Sequence, residues 1–260
     1  MVNMQKLEIK NRQGEKLAVL IEKAVSQKNL VFIMHGLGEF KERPQMETLA
    51  KTFKDNHFTV VRFDTTNSIG ESAGKLENAT ATNYYQDLED VTLWAKTQDW
   101  YQEPFWLAGH SLGGFCIAFF AANQQKKVKA VAPISTFVSG KLFSQTKEIK
   151  ALLKEWKEKG MREWEGQSKP GLIKRLKYGF MEDSFKYDLL KVADKIKCPV
   201  LLIVGEDDEI TPLKYQKLLF KKLRIEKELH VIKGAEHTFD DKKSLRNLES
   251  IIKKWMRKII

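Results

Sequence analysis

Three short stretches carry side chains that could together break an acyl bond. Ser111 stands in "GHSLGG", Asp207 and Asp208 in "GEDDEITP", and His237 in "GAEHTF". A serine hydroxyl is a poor nucleophile at neutral pH, so it needs a base to take its proton and a third group to orient that base. The Gly-x-Ser-x-Gly spacing supplies the first part. Placed between a strand and a helix, it forces the serine into a tight, strained turn that lifts the hydroxyl clear of the flanking chain. Gly109 and Gly113 then occupy positions where a Cβ would strike the neighbouring strand and helix backbones, and Gly114 and Ala118 continue that small face.

Five histidines compete for the role of base: His35, His57, His110, His230 and His237. His237 follows the last apolar strand pattern at its C-terminal end, the same edge of a parallel sheet where the serine turn emerges. His230 lies inside that strand pattern, His57 fits a helix-to-strand connection, and His35 suits a role in shaping its own loop. His110 adjoins the serine but points elsewhere in such a turn. The acid must come from Asp207 or Asp208, just past the strand pattern "LLIVG". Negative charge developing on an attacked carbonyl needs N–H donors. Leu112 offers one at a helix N-terminus, and Leu37 a second from "VFIMHGLGEF", where Gly36 and Gly38 free the loop.

The elements that must position these residues are legible as an alternation. After an opening hairpin, "KLEIKNRQGEKLAVLIEK" with its turn near Gln13 and Gly14, short apolar runs recur as "NLVFIMHG", "FTVVRFD", "PFWLAGH", "VKAVAPIS", "CPVLLIVG" and "KELHVIKG". Helical patterns lie between them, over about 46–56, 83–99, 111–124, 213–223 and 242–258. This predicts an α/β fold: a mostly parallel sheet of about eight strands with helices on both faces. From 136 to 187 the alternation stops, leaving amphipathic helical text punctuated by Gly160, Pro170, Gly171 and Gly179. An unstructured loop of that length inside a compact domain is improbable, which predicts a small helical cap inserted after strand 6. The expected domains are therefore 1–135 with 188–260 as the core and 136–187 as the cap. The cap's aromatics, Trp156 and Trp164 among them, either pack it onto the body or line a substrate pocket.

At these residues the sequence resembles the α/β-hydrolase superfamily. It is most similar to the capped branch that holds monoacylglycerol lipases, bacterial carboxylesterases, cinnamoyl or feruloyl esterases and serine-aminopeptidase-like hydrolases. The likeness rests on "HGLGE", "RFDTTNSIGESAG", "GHSLGG", "GEDDEITP" and "GAEHTF", in order along nearly the whole chain. It implies the Gly-x-x-Asp-x-x-x-Pro pattern, which Asp208 fits and Asp207 does not, and hence a triad of Ser111, Asp208 and His237. One departure is visible: many relatives have a His-Gly pair after the strand ending at Asp64, where this chain reads Ser68-Ile69-Gly70-Glu71-Ser72.

The expected function is a serine carboxylesterase for short to medium acyl or arylacyl esters, a small-molecule substrate. Gly36, His110, Trp156 and Trp164 are the candidates for substrate contact. A monoacylglycerol lipase and an aminopeptidase-like enzyme are alternatives, the latter needing an acidic cluster drawn from residues such as Glu163, Glu165, Glu182 or Asp183. A non-catalytic ligand receptor is the reading from a different class. No cofactor or metal is expected, since no ligand cluster or dinucleotide fingerprint occurs. The net charge of +11 is spread among acids throughout rather than gathered in a basic stripe, which argues against nucleic acid. No apolar run approaches a membrane span and the N-terminus lacks a signal-like block, so the expected location is cytoplasmic. Cys116 and Cys198 read as buried thiols, and oligomeric state is open, a homodimer included.

Overall fold

The structure, a computed structural model, describes residues 3–166 and 168–260. The chain begins with β1 (Asn3–Lys10) and β2 (Lys16–Lys23), an antiparallel hairpin. Its turn uses Gly14 at φ 78° and the Asn11 side chain, whose Oδ1 accepts from the N–H groups of Gln13 and Glu15. Next come β3 (Asn29–Met34), α1 (Pro44–Lys54), β4 (Phe58–Phe63), α2 (Ala81–Ala95), β5 (Phe105–His110), α3 (Leu112–Asn123) and β6 (Val128–Ile134). An insertion follows: α4 (Gly140–Phe143), α5 (Lys147–Lys159), β7 (Met161–Glu165), β8 (Ile173–Lys177) and α6 (Gly179–Ser184). The core resumes with β9 (Val200–Gly205), α7 (Leu213–Lys222), β10 (Lys227–Ile232) and α8 (Lys242–Ile259).

Eight strands form one sheet in the order β1-β2-β4-β3-β5-β6-β9-β10, parallel from β4 to β10. Its central strands are buried on both faces, which is why they read as unbroken apolar runs. Within β5 the two-residue period still sorts the side chains. Phe105 and Leu107 join the core beneath α2 and α3, while Trp106 and Ala108 join the one beneath α1 and α8. There Trp106 meets Trp255 of α8 edge-on, with ring centroids 5.3 Å apart. The five helical patterns of the core lie within a few residues of α1, α2, α3, α7 and α8. Among the described residues, no helix is long and apolar enough to cross a membrane.

The insertion after β6 departs from the all-helical expectation. Its second half is an antiparallel hairpin, with Arg162 opposite Leu176 and Trp164 opposite Lys174. Period-two alternation exists in "MREWE" and "IKRLK", but the inward positions include Arg162 and Lys174, so it does not alternate apolar with polar. The breakers at Pro170 and Gly171 turn out to belong to the hairpin's connection, Gly171 at φ 77°. The two necks of the insertion are zipped together by a bridge between Ser139 and Asp188 and a Leu189 N–H donating to Val138 O at 2.9 Å.

Candidate active site

Ser111 occupies the turn from β5 into α3 with φ 55° and ψ −116°, a backbone region that L-residues rarely visit. The turn is held from both sides. The Ser111 N–H donates to Ile134 O at 2.9 Å, and Ser111 O accepts from Phe115 and Phe137. Small residues are obligatory around it. A Cβ on Gly113 would stand 2.5 Å from the carbonyl oxygens of Met34 and His35, and one on Gly109 would stand 2.8 Å from Gly113's own carbonyl.

The serine hydroxyl meets His237. The Ser111 Oγ to His237 Nε2 distance is 3.0 Å, and His237 Nδ1 lies 2.9 Å from Asp208 Oδ2. Asp208 is held by its own loop: Oδ1 accepts from the N–H groups of Ile210 (3.0 Å) and Thr211 (2.7 Å), and Oδ2 from the Thr211 hydroxyl (2.8 Å). Burial alone would raise this carboxyl, yet the adjacent imidazole and these hydrogen bonds hold it well below the usual carboxylate range. Asp207, its rival, is exposed and takes no part in that line.

The other histidines have separate places. Burial, reinforced by His237, pushes the His110 imidazole down to about 3, so the ring is neutral. Its Nε2–H donates to the His237 carbonyl at 2.7 Å, and Nδ1 has no partner among the described residues. His110 therefore borders the cavity, but its hydrogen bond props the His237 loop from behind. His35 is also lowered by burial; its Nδ1–H donates to Gly36 O and its Nε2 accepts from Thr65 N–H, which shapes the loop after β3. His230 lies on β10 against Glu228, and His57 takes φ 67° between α1 and β4.

A cavity of about 280 Å³ opens over Ser111. Its floor is Gly36, Leu37, Leu112 and His237, and its roof is the insertion, through Phe143, Trp156, Trp164 and Phe180 among others. A Cβ on Gly36 would lie 3.0 Å from that of Ser111, so the loop carrying Leu37 is pressed against the serine. Leu112 is the first residue of α3, and its N–H is one of those a helix leaves unpaired. Trp156 is buried, its Nε1–H donating to Leu176 O at 3.0 Å. Arg162 lies between Trp156 and Trp164, 5.2 and 4.6 Å from their ring centres, with Nη2 donating to Glu148 at 2.9 Å.

Several residues of the site escape a reading of motifs. Lys174 and Glu39 both line the cavity and pair at 2.8 Å. Thr211, inside "GEDDEITP", binds Asp208; its spacing after the acid was the available signal. In the segment after β4 that departs from the His-Gly pattern, Glu71 is reached by Lys41, which is buried against Asp64 at 2.8 Å. Among the acids the aminopeptidase alternative would draw on, Asp183 binds the N–H and hydroxyl of Thr82, and Glu163 pairs with Arg175 at the surface. Cys116 and Cys198 are buried free thiols, the latter pushed up to about 12 by burial.

Sheet order, elbow and cap define an α/β-hydrolase. The family described as "Hydrolase_4: Serine aminopeptidase, S33" matches residues 25–178, and the chain belongs to that family. It is 29% identical over 153 residues to "Palmitoyl-protein thioesterase ABHD10, mitochondrial" of Bos taurus, covering 58% of this chain and 48% of that protein. The mouse protein of the same description is 31% identical over 155 residues, covering 58% and 49%. The chain thus spans about half the length of these curated relatives. In structure it is similar to alpha/beta hydrolase domain-containing protein 10 from mouse (TM-score 0.80, 22% identity, 98% of this chain and 100% of that one). It is also similar to Est1E from Butyrivibrio proteoclasticus with bound ferulic acid (TM-score 0.78, 22% identity, 97% and 98%). At that identity the likeness is one of fold.

Proposed function

We propose that the protein is a serine esterase for short to medium acyl or arylacyl esters, acting through an acyl-enzyme. What carries the reading is the line from Ser111 Oγ through His237 to Asp208, at 3.0 and 2.9 Å, opening into a cavity with an aromatic roof. In this mechanism His237 Nε2 takes the hydroxyl proton as Ser111 Oγ attacks the acyl carbonyl. The amides of Leu37 and Leu112 receive the negative oxygen. His237 returns the proton to the departing alcohol, then takes one from water, which attacks the acyl-serine and releases the acid. The cavity, about 280 Å³, sits at the small end of ligand pockets and suits a compact acyl group better than a long chain.

Acyl thioesters are a second reading, favoured by the similarity to proteins described as palmitoyl-protein thioesterases, since the same nucleophile serves both bonds. Peptide cleavage next to a free N-terminus has weaker support. An ammonium would need an acid in the cavity; Glu39 and Glu148 already pair with Lys174 and Arg162, and Glu165, which also lines it, is largely turned to solvent. The test is a panel of p-nitrophenyl esters of increasing chain length with methyl ferulate, a monoacylglycerol, an S-acyl thioester and an aminoacyl anilide. A fluorophosphonate probe should label the protein and fail to label Ser111→Ala. A wild-type protein that takes no label and turns over nothing in the panel would be a ligand receptor, and this reading would fall.

A further inference from the structure

A chain of charges joins the cap to two separate loops of the site. Lys174, on the inner face of β8, is 95% buried, and its Nζ donates to Glu39 Oε1 at 2.8 Å. Glu39 lies two residues past Leu37, on the loop pressed against Ser111. Its other oxygen, Oε2, is 2.9 Å from Arg43 Nε, close enough for ion pairing although the N–H is not aligned on it. Arg43 directly precedes α1 and is also buried; its Nη2 donates to Asp240 Oδ1 at 2.6 Å. Asp240 is three residues past His237, next to Phe239, which is itself held at φ 54°.

Burying Lys174 and Arg43, with Glu39 mostly covered between them, is costly unless each keeps its partner. The arrangement therefore tolerates one geometry far better than its neighbours, and a shift at one end leaves a buried charge exposed to the loss at the next. Each link joins a different element: cap strand, loop after β3, helix start, histidine loop. No motif contains the set, and the four residues span positions 39 to 240.

We propose that Lys174, Glu39, Arg43 and Asp240 form a positioning relay, through which the seated cap hairpin fixes both the loop carrying Leu37 and the loop carrying His237. Lys174 and Arg43 are then positioning residues: they act on the reaction through the loops they hold. The inference rests on the esterase reading for its kinetic consequence but not for its structural one.

The test uses Lys174→Met, which keeps the length and removes the charge, with Lys174→Arg as the conservative variant and Asp240→Asn at the exposed end. Hydrogen exchange of the full chain should quicken in Lys174→Met at residues 36–40 and 237–241 as well as in the hairpin, and Asp240→Asn should quicken 36–40. On p-nitrophenyl butyrate, Lys174→Met should lose roughly ten- to a hundredfold in kcat, the scale of a small misplacement of reacting groups, with KM within about twofold. Lys174→Arg should recover most of that loss. Exchange that quickens only within 161–177 overturns the relay, and so does a raised KM at unchanged kcat, which would make Lys174 a substrate contact. If the wild type turns over no ester while exchange spreads as described, the relay stands and the esterase reading alone is lost.

Discussion

The rim of the sheet and the roof over it hold their functional side chains by different means. At the rim, main chain does the holding: Ser111 sits in a left-handed elbow walled by glycines, Asp208 takes two backbone N–H groups, and the His237 carbonyl is pinned by His110. In the roof, side chains do more of the holding. Arg162 is clasped by two indoles, Lys174 by Glu39, and Asp183 ties the cap to the start of α2. Main-chain fixation permits few residues at each position, whereas side chains that hold one another can be exchanged in matched sets. On the proposed function, the difference would put the bond-breaking chemistry at the rim and the choice of substrate in the roof.

The sharpest break between the two regions should come at Ser111. Ser111→Ala should lower kcat/KM by at least three orders of magnitude on every active ester, with the unfolding temperature within a degree or two of wild type. Selective loss on some esters and not others would assign the serine to specificity and erase the distinction. Gly113→Ala should act on the fold as well, because its Cβ would lie 2.5 Å from two backbone oxygens that cannot yield cheaply. Overpacking of this kind costs roughly 1–3 kcal/mol, a fall of about 2–12 °C at this size, readable by thermal melting. An unchanged melting temperature would mean that the elbow is less rigid than its contacts imply.

The same division explains what could be read from the sequence. The rim was legible because a strained turn or a close backbone approach admits few residues, so "GHSLGG", "GEDDEITP" and "GAEHTF" stand out as text. The residues alone leave Asp207 and Asp208 open; the preference for Asp208 comes from the resemblance and its Gly-x-x-Asp-x-x-x-Pro pattern, and the structure buries Asp208 and exposes Asp207. The family match ends at residue 178, so Asp208 and His237 are joined to Ser111 by geometry rather than by that match. The hairpin of the roof was illegible because its inward face holds Arg162 and Lys174 where a strand pattern calls for apolar residues. Nor could the turn motif announce that His110 would prop His237, since that contact joins residues 127 apart.

A smaller effect probes whether the body is uniformly well fitted. Asp87 of α2 is buried, accepting from the N–H and hydroxyl of Thr66 at 2.7 and 2.8 Å, and burial pushes its carboxyl up to about 6. Between the ordinary carboxyl value of 3.8 and about 6, the folded chain holds more protons here than the unfolded one. Stability from this group therefore falls as pH rises through that window and levels off above it. The contribution of Asp208, whose carboxyl is lowered, has the opposite sign and is lost only as pH falls below the ordinary range. Melting temperatures of wild type and Asp87→Asn, compared from about pH 4 to 7, should diverge with pH, the variant lacking the downward slope. Parallel curves would show that Asp87 titrates normally in the fold.

The mildest change tests the roof's second anchor. Asp183 receives the Thr82 N–H at 2.9 Å and its hydroxyl at 2.7 Å, which places a carboxylate in the first turn of α2, where the helix favours negative charge. Asp183→Asn keeps an acceptor and removes the charge, for about 1 kcal/mol and a fall of about 2–4 °C in melting temperature. Because the Lys174–Glu39 pair is untouched, the loops at Leu37 and His237 stay fixed and kcat on p-nitrophenyl acetate should not move. KM should rise instead, and more for arylacyl esters that reach the roof than for acetate. One cap would then have two anchors with opposite kinetic signatures, Lys174 acting on turnover and Asp183 on binding. A fall in kcat for acetate matching that in Lys174→Met would mean that any loosening of the roof disorganises the rim, and the two regions would have to be treated as one.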